Sequence, residues 1–404
     1  MFGDIGDTST MPWMTKDLIE QRYEFVTLAG VPGANVAGLC RRFSLSRQCG
    51  YKWLRRFAKG GKAALVNQSR RPHLSPALLS SEQEKPILKL RRKHPTWGAR
   101  KLLTRLTDTG HTGLPSPSTV HQVLIRSDLV EPRPGGHPKP WQRFEREAPN
   151  ELWQMDFKGH FALANAQRCH PLTILDDHSR YSLCLRARPG QTDRDVRPYL
   201  EQTFQRYGMP REILCDYGPP WGSSSLERWT ALGVWLLRRG VSVIHGRPRH
   251  PQTQGKDERF HRTLKADVIS RRDLRDLPHA QRAFDRWRSI YNTERPHQSL
   301  AMATPVTRYQ LSPRPWPQTL PPILYPDDAL VRTIRSLGVL TWRNRSYGIG
   351  RAFAGLPLAI RPTATDGLHT VQFCHHLLGA INLRQPCLSK HQLQPLLPLP
   401  HSFA

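Results

Sequence analysis

The chain has 404 residues, with 60 Lys+Arg against 32 Asp+Glu and a formal charge of +28. That length predicts several domains, and so large a positive surplus repels itself unless a polyanion is the usual partner, which points to nucleic acid. Residues 1–145 carry 24 Lys+Arg and 11 Asp+Glu, so the surplus is spread along the chain and no single basic tail explains it.

Seven cysteines without a CxxC pair indicate a reducing compartment. Cys374-His375-His376 looks briefly like a metal site, but adjacent strand residues point to opposite faces and no partner cluster lies nearby. No apolar run approaches the roughly 18 residues needed to span a bilayer, and no signal-peptide pattern opens the chain. The expectation is a soluble, intracellular protein with no membrane partner.

In chain order, helical spacing over residues 15–28, 36–43 and 46–57 predicts a helix-turn-helix unit within residues 1–65. Ser46 is placed to cap the second of the paired helices. Leu39, Phe43, Leu45, Tyr51 and Leu54 are expected to form its core, leaving Arg47, Gln48, Lys52, Arg55 and Arg56 facing outward as DNA contacts. A second helical set over 82–93, 97–106 and 118–127 predicts another such unit at 75–130, its last helix opened by Pro117-Ser118-Thr119.

Residues 131–149, rich in Pro, Gly and charge, read as a linker. Strand-like runs follow in ELWQMDF, PLTILDD and YSLCLRA, then a helix over 196–207 and a further strand, REILCD, giving a mixed α/β unit at 150–310. SSLERWTALGVWLLRR reads as another helix. Residues 311–328 read as a Pro-rich linker. Short β-rich runs with turn signals over 329–385 predict a small β-barrel, ahead of a tail at 386–404.

Two carboxylates, Asp156 in WQMDF and Asp216 in LCDYG, close apolar strands, and Glu258 follows 42 positions after Asp216 in HPQTQGKDERFHRTLK. Three carboxylates brought together would repel strongly unless a divalent cation lay between them, and the cations around Glu258 are suited to hold phosphates. On a helix Gln254, Glu258, Arg262 and Lys265 share one face, while Phe260 and Leu264 form the apolar stripe. Taken alone, Glu258 reads as an i,i+4 partner of Arg262 rather than as a metal ligand.

These stretches, with LTILDDHSRY at 172–181 and YNTERPHQSL followed by TP at 304–305, resemble bacterial insertion-sequence transposases with an integrase core, relatives of retroviral integrases. The resemblance implies a ribonuclease H-like core between the tandem helix-turn-helix units and the barrel. It implies Asp156, Asp216 and Glu258 as catalytic residues and ligands of Mg²⁺ or Mn²⁺, two ions in all. Lys265 matches a basic position that contacts DNA, and Lys256 and Arg262 are further expected DNA contacts. Asp176 and Asp177 match a structural hallmark, with turn capping by His178-Ser179-Arg180; His250 and His297 read as structural or DNA-facing. Two departures stand out: Tyr217 follows Asp216 where the family commonly has Asn, and the Asp216 to Glu258 spacing is longer than usual. The expected activity is metal-dependent cleavage and strand transfer at the element's terminal inverted repeats. The expected partners are double-stranded DNA and further copies of the chain, in a bacterial, nucleoid-associated setting. The alternatives are an inactive, transposase-derived DNA-binding regulator and a ribonuclease H-like nuclease without strand transfer.

Overall fold

A computed structural model describes residues 17–68, 79–130, 145–216, 218, 220–222, 229–245, 255–385 and 391–393. Tyr217, His250, Gln254 and most of the 131–149 linker and of the 386–404 tail lie outside the described residues. The chain divides into two compact units, Met1–Leu78 and Leu79–Ala404.

The first unit holds helices α1 (Leu18–Ala29), α2 (Val36–Arg42) and α3 (Arg47–Gly60). Asn35 caps α2 by accepting from the Gly38 N–H at 2.9 Å, and Ser46 caps α3 by accepting from Cys49 N–H at 3.2 Å, as its position predicts. The core is Phe25, Val26, Cys40, Trp53 and Leu65, with Leu39, Phe43, Leu45 and Leu54 partly buried around it. At Gly50 a Cβ would meet Cys40 Sγ at 2.5 Å and the Phe25 ring at 2.9 Å, so the absent side chain lets α3 press against its neighbours. Tyr51 is not in this core: it is 53% exposed. With Gly50, Trp53 and Leu54 turned inward, a helical step of about 100° carries Tyr51 onto the outer face beside Arg47, Lys52 and Arg55.

The second unit opens with α4 (Ser81–Lys93), α5 (Ala99–Asp108) and α6 (Pro117–Arg126). Ser80 and Gln83 form a capping box, and Ser116 caps α6 with Pro117 in its first turn. Ile87, Trp97, Leu102, Leu106, Val120 and Leu124 form their core.

The central sheet contains β1 (Leu152–Phe157), β2 (Phe161–Ala162), β3 (Arg168–Asp176), β4 (Ser182–Arg188), β5 (Glu212–Cys215) and β6 (Ser242–His245), with α7 (Asp193–Tyr207) after β4 and α8 (Ala231–Leu237) before β6. Its order is β2-β3-β1-β5-β6, with β4 also on β3. The β1–β3 and β3–β4 pairs are antiparallel, and β1–β5 and β5–β6 are parallel. α7 and α8 cover one face through Val196, Leu200, Phe204, Leu232 and Leu236. The other face takes α9 (Gly255–Asp267) and α10 (Leu277–Thr293), through Phe260, Leu264, Phe284 and Trp287. The strands and helix expected between 150 and 216 are all present; β2, β6 and the shortness of α8 among the described residues are additions. Strand β6 carries only half-buried side chains, so its apolar pattern is weak.

The helical set α4 to α6 is joined to the sheet domain. Ile290 of α10 packs on its core, Thr96 donates to Asp267, and Arg105 pairs with Glu294 at 3.2 Å. The segment expected as a Pro-rich linker lies against the sheet domain: Ser312 N–H donates to the Tyr207 carbonyl at 2.9 Å, and Trp316 stacks on Phe204.

The C-terminal region is not a closed barrel. It comprises a four-stranded sheet, β12-β11-β10-β7, and a three-stranded one, β13-β9-β8, from β7 (Leu330–Thr333), β8 (Val339–Trp342), β9 (Arg345–Gly348), β10 (Pro357–Pro362), β11 (Leu368–Phe373), β12 (His376–Asn382) and β13 (His391–Gln392). Between β9 and β10 the chain leaves the ladder for a short helical turn at Arg351–Phe353, and Gly338, at φ +74°, passes so near Gly350 that a Cβ would sit 2.3 Å from its carbonyl carbon. The apolar faces of the two sheets meet over Leu340, Phe353, Leu358, Val371 and Phe373.

Candidate active site

Asp156 is the fifth residue of β1, and Asp216 directly follows β5, the parallel neighbour of β1. Parallel pairing brings the C-terminal ends of the two strands to the same edge of the sheet. Glu258 stands in the first turn of α9, exposed, where Phe260 and Leu264 fix the helix against the sheet. Burial, then the charge of Asp216 and that of Glu258, push the Asp156 carboxyl up to about 7, against the backbone N–H of Phe157. Asp216 and Glu258 are thus among the charges that act on Asp156. Burial also raises Asp216, opposed by the Gly218 N–H, which donates to Oδ1 at 3.0 Å, and by His245. His245 Nδ1 donates to the Asp216 carbonyl at 2.8 Å, tying the β5 end to β6.

The carboxylate donor set suits a hard divalent cation, and the upward push on Asp156, from burial first and then from the neighbouring acids, is one that a bound cation would oppose. Among the described residues no three such side chains are drawn into a closed ligand group. By their chemistry, carboxylate oxygens fit a hard divalent ion.

Several participants were not singled out from the sequence. His261, three residues after Glu258, lies with Nδ1 3.9 Å from Asp156 Oδ2 and Nε2 2.9 Å from Thr173 Oγ1. Burial and Lys158 push it down to about 3, so it meets Asp156 as a neutral ring and not as a cation. Asp257 is completely buried, and neither carboxylate oxygen has a hydrogen-bond partner among the described residues. Burial, with Asp156 and Asp177, holds it well above the carboxylate range, and Lys256 opposes them. A charged residue beside Glu258 reads as surface in sequence; only the docking of α9 turns it inward.

Asp176 accepts from Ser179 N–H at 2.8 Å and Ser179 Oγ at 2.6 Å, the turn capping its motif suggests. Asp177 faces the other way and accepts from Arg146 N–H and Gln154 Nε2, each at 2.8 Å, and from the Lys256 ammonium. Lys256 was expected on the DNA-facing surface, but its side chain is 13% exposed and is taken up by this pair. Arg262 and Lys265 are exposed on α9, and no ion pair joins Glu258 to Arg262 among the described residues. His297 is buried against Tyr291, its ring pushed down to about 2 by burial and Arg295, which is the structural alternative for that residue. In the first unit Arg47, Gln48, Lys52 and Arg55 are exposed along α3, whereas Arg56 is half-buried and donates to Gln68 at 2.7 Å.

Comparison with known proteins supplies the class. Integrase core domain models match residues 146–251 and 239–305, a helix-turn-helix domain matches 22–73 and a homeodomain-like domain 49–124, and the IS481 family transposase C-terminal domain matches 329–387. The chain thus has an integrase core preceded by helix-turn-helix segments. Residues 329–387 are similar to the C-terminal domain of IS481 family transposases, and the expected resemblance to insertion-sequence transposases holds. A protein of insertion element IS476 from Xanthomonas euvesicatoria is 31% identical over 157 residues, 39% of this chain and 43% of the relative. One of insertion element IS407 from Burkholderia multivorans is 27% identical over 158 residues, 39% of this chain and 54% of the relative. A mouse mammary tumor virus Gag-Pro-Pol polyprotein is 31% identical over 120 residues, 30% of this chain and 6% of the relative. The chain therefore spans about half the length of the insertion-element relatives. Among solved structures, a simian T-cell lymphotropic virus intasome gives a TM-score of 0.37 at 16% identity over 73% of this chain and 95% of that one. The HTLV-2 integrase catalytic core in complex with magnesium gives 0.32 at 15% over 41% and 99%. At such scores the likeness is too weak to bear on the chemistry of this chain. No helix among the described residues is long and apolar enough to cross a membrane.

Proposed function

We propose that this protein is a transposase that binds the terminal inverted repeats of its mobile element and catalyses metal-dependent DNA cleavage and strand transfer. The observation that carries the reading is the parallel register of β1 and β5, which pairs Gln154 with Leu214 and so brings Asp156 and Asp216, each two residues further on, to the same end of the sheet, where Glu258 also acts on Asp156. Asp156, Asp216 and Glu258 would hold Mg²⁺ or Mn²⁺, two ions being what the family resemblance implies. A bound divalent cation supplies Lewis acidity to the attacking and leaving oxygens of a phosphodiester displaced in line.

The chain's own residues do the rest. Arg262 and Lys265, exposed on the Glu258 face of α9, bind phosphates beside the site. Thr173 Oγ1 donates to the Asp156 carbonyl at 3.0 Å and, with His261, keeps β1 and α9 in register. Arg47, Gln48, Lys52 and Arg55 on α3 recognise the repeat, in an assembly of several copies that holds two element ends.

The test is joining of a pre-cleaved element end to target DNA with Mg²⁺ or Mn²⁺. Asp156→Asn, Asp216→Asn and Glu258→Gln should each abolish joining and leave repeat binding intact. Repeat binding with no metal-dependent joining by the parent would mark a DNA-binding regulator instead, and cleavage without joining a nuclease.

A further inference from the structure

The Asp177 carboxylate is fully buried, and its hydrogen bonds come from three separate parts of the domain. Arg146 N–H belongs to the segment entering the domain, Gln154 Nε2 lies on β1 two residues before Asp156, and Lys256 Nζ lies on α9 two residues before Glu258. One side chain thus connects the strand bearing Asp156 to the helix bearing Glu258. Lys256 also reaches the Asp177 carbonyl, at 3.5 Å, and its neighbour Asp257 is buried beside it.

The geometry points to Asp177 and Lys256 as a positioning pair that docks the first turn of α9 and sets where Glu258 stands relative to Asp156. This role rests on the metal-site reading and differs from the DNA contact expected of Lys256. The physical case has two parts. The hydrogen bond is charge-assisted and shielded from water, so it resists both salt and fraying of the helix end. Glu258 is itself exposed, and no hydrogen bond or ion pair holds its side chain among the described residues, so its location depends on the backbone of the turn it stands on.

The experiment uses the full chain with Lys256→Met, Lys256→Arg, Asp177→Asn and the double variant Asp177→Asn/Lys256→Met, with Glu258→Gln as a reference. Mn²⁺ affinity is measured by calorimetry, amide exchange is followed across residues 255–260, and repeat binding is measured as a function of salt. Lys256→Met is expected to weaken Mn²⁺ affinity by about 10- to 100-fold, the range for partners that orient metal ligands. It should speed exchange in the first turns of α9 and leave the salt slope of DNA binding unchanged. Lys256→Arg should recover most of the affinity, and the double variant should be no worse than the more affected single one. Should Lys256→Met not fold, Asp177→Asn, which is isosteric, carries the same predictions. A fall of about one in the salt slope with Mn²⁺ affinity intact would make Lys256 a phosphate contact and overturn the pair. If Glu258→Gln itself keeps Mn²⁺ binding, the metal-site reading fails, and the exchange measurement still reads the pair independently.

Discussion

Asp156 combines two demands that conflict in the absence of a cation. Its folded carboxyl is pushed from the ordinary 3.8 up to about 7, so the folded chain holds that proton more tightly than the unfolded one. The associated stability is greatest at acid pH and is lost as pH rises from about 4 to 7, with at most about 4 kcal/mol at stake. Thermal unfolding of metal-free protein should therefore show Asp156→Asn melting above the parent at pH 8, and much closer to it at pH 4, while joining is abolished. An equal gain at both pH values would mean that the substitution acts through packing and not through charge. Divalent cation should raise the parent's melting temperature at pH 8 and leave that of Asp156→Asn nearly unmoved. That Asp156 and Asp216 stand at strand ends and Glu258 on a helix was legible in their motifs. That Asp257, next to Glu258, turns into the protein was not, because a charge in a basic helix reads as solvent-facing until the helix is docked.

Helix α9 shows how one element divides its faces. Phe260 and Leu264 bury the stripe that the spacing predicts, and Glu258, Arg262 and Lys265 remain exposed. Lys265 lies seven residues beyond Glu258, about 10 Å along the axis at ~1.5 Å per residue, close to the distance between adjoining phosphates and the site. Lys265→Ala should lower the salt slope of end binding by about one and leave Mn²⁺ affinity unchanged; Lys265→Glu should weaken binding further. Loss of metal binding in either variant would assign Lys265 to the fold instead. On α3 the outward arc of Arg47, Lys52 and Arg55 includes Tyr51, which counts as core only while apolar character is weighed without the phase of the helix. Gly50 set that phase, and a glycine carries no hydropathy signal that would reveal it. Arg47→Ala/Lys52→Ala should cost repeat affinity and about two units of salt slope, with no change in metal-dependent joining once the end is saturated.

Across the second unit, segments that read as separate modules share cores. Val234 and Leu237 of α8 are buried with Ile334, Phe353 and Leu358 of the C-terminal sheets, and Trp229 meets Phe353 edge to face. Deleting residues 329–404 should therefore lower the melting temperature of the sheet domain by several degrees and create a dye-binding apolar surface around α8. An unchanged melting curve would show that the C-terminal sheets stand alone. The Arg105–Glu294 and Thr96–Asp267 contacts likewise tie the second helical set to α9 and α10, so Arg105→Ala should loosen that joint in amide exchange without unfolding either side.

The sequence by itself determined most of the strands and helices, the cap at Ser46, Pro117 in the first turn of α6, and the placing of Asp156 and Asp216 at strand ends and of Glu258 on a helix. These depend on local pattern: helical and strand periodicities, capping chemistry and short motifs. Tertiary structure alone decided that the C-terminal strands form two facing sheets, that the Pro-rich segment runs against the sheet domain, and that Lys256 turns from the expected DNA face to Asp177. Each of those outcomes depends on which surfaces meet across tens to hundreds of residues, and neither hydropathy nor spacing along the chain records that pairing. Lys256 shows the reason at its smallest scale: its partner lies 79 positions away, and only the docking of α9 on the sheet brings the two charges together.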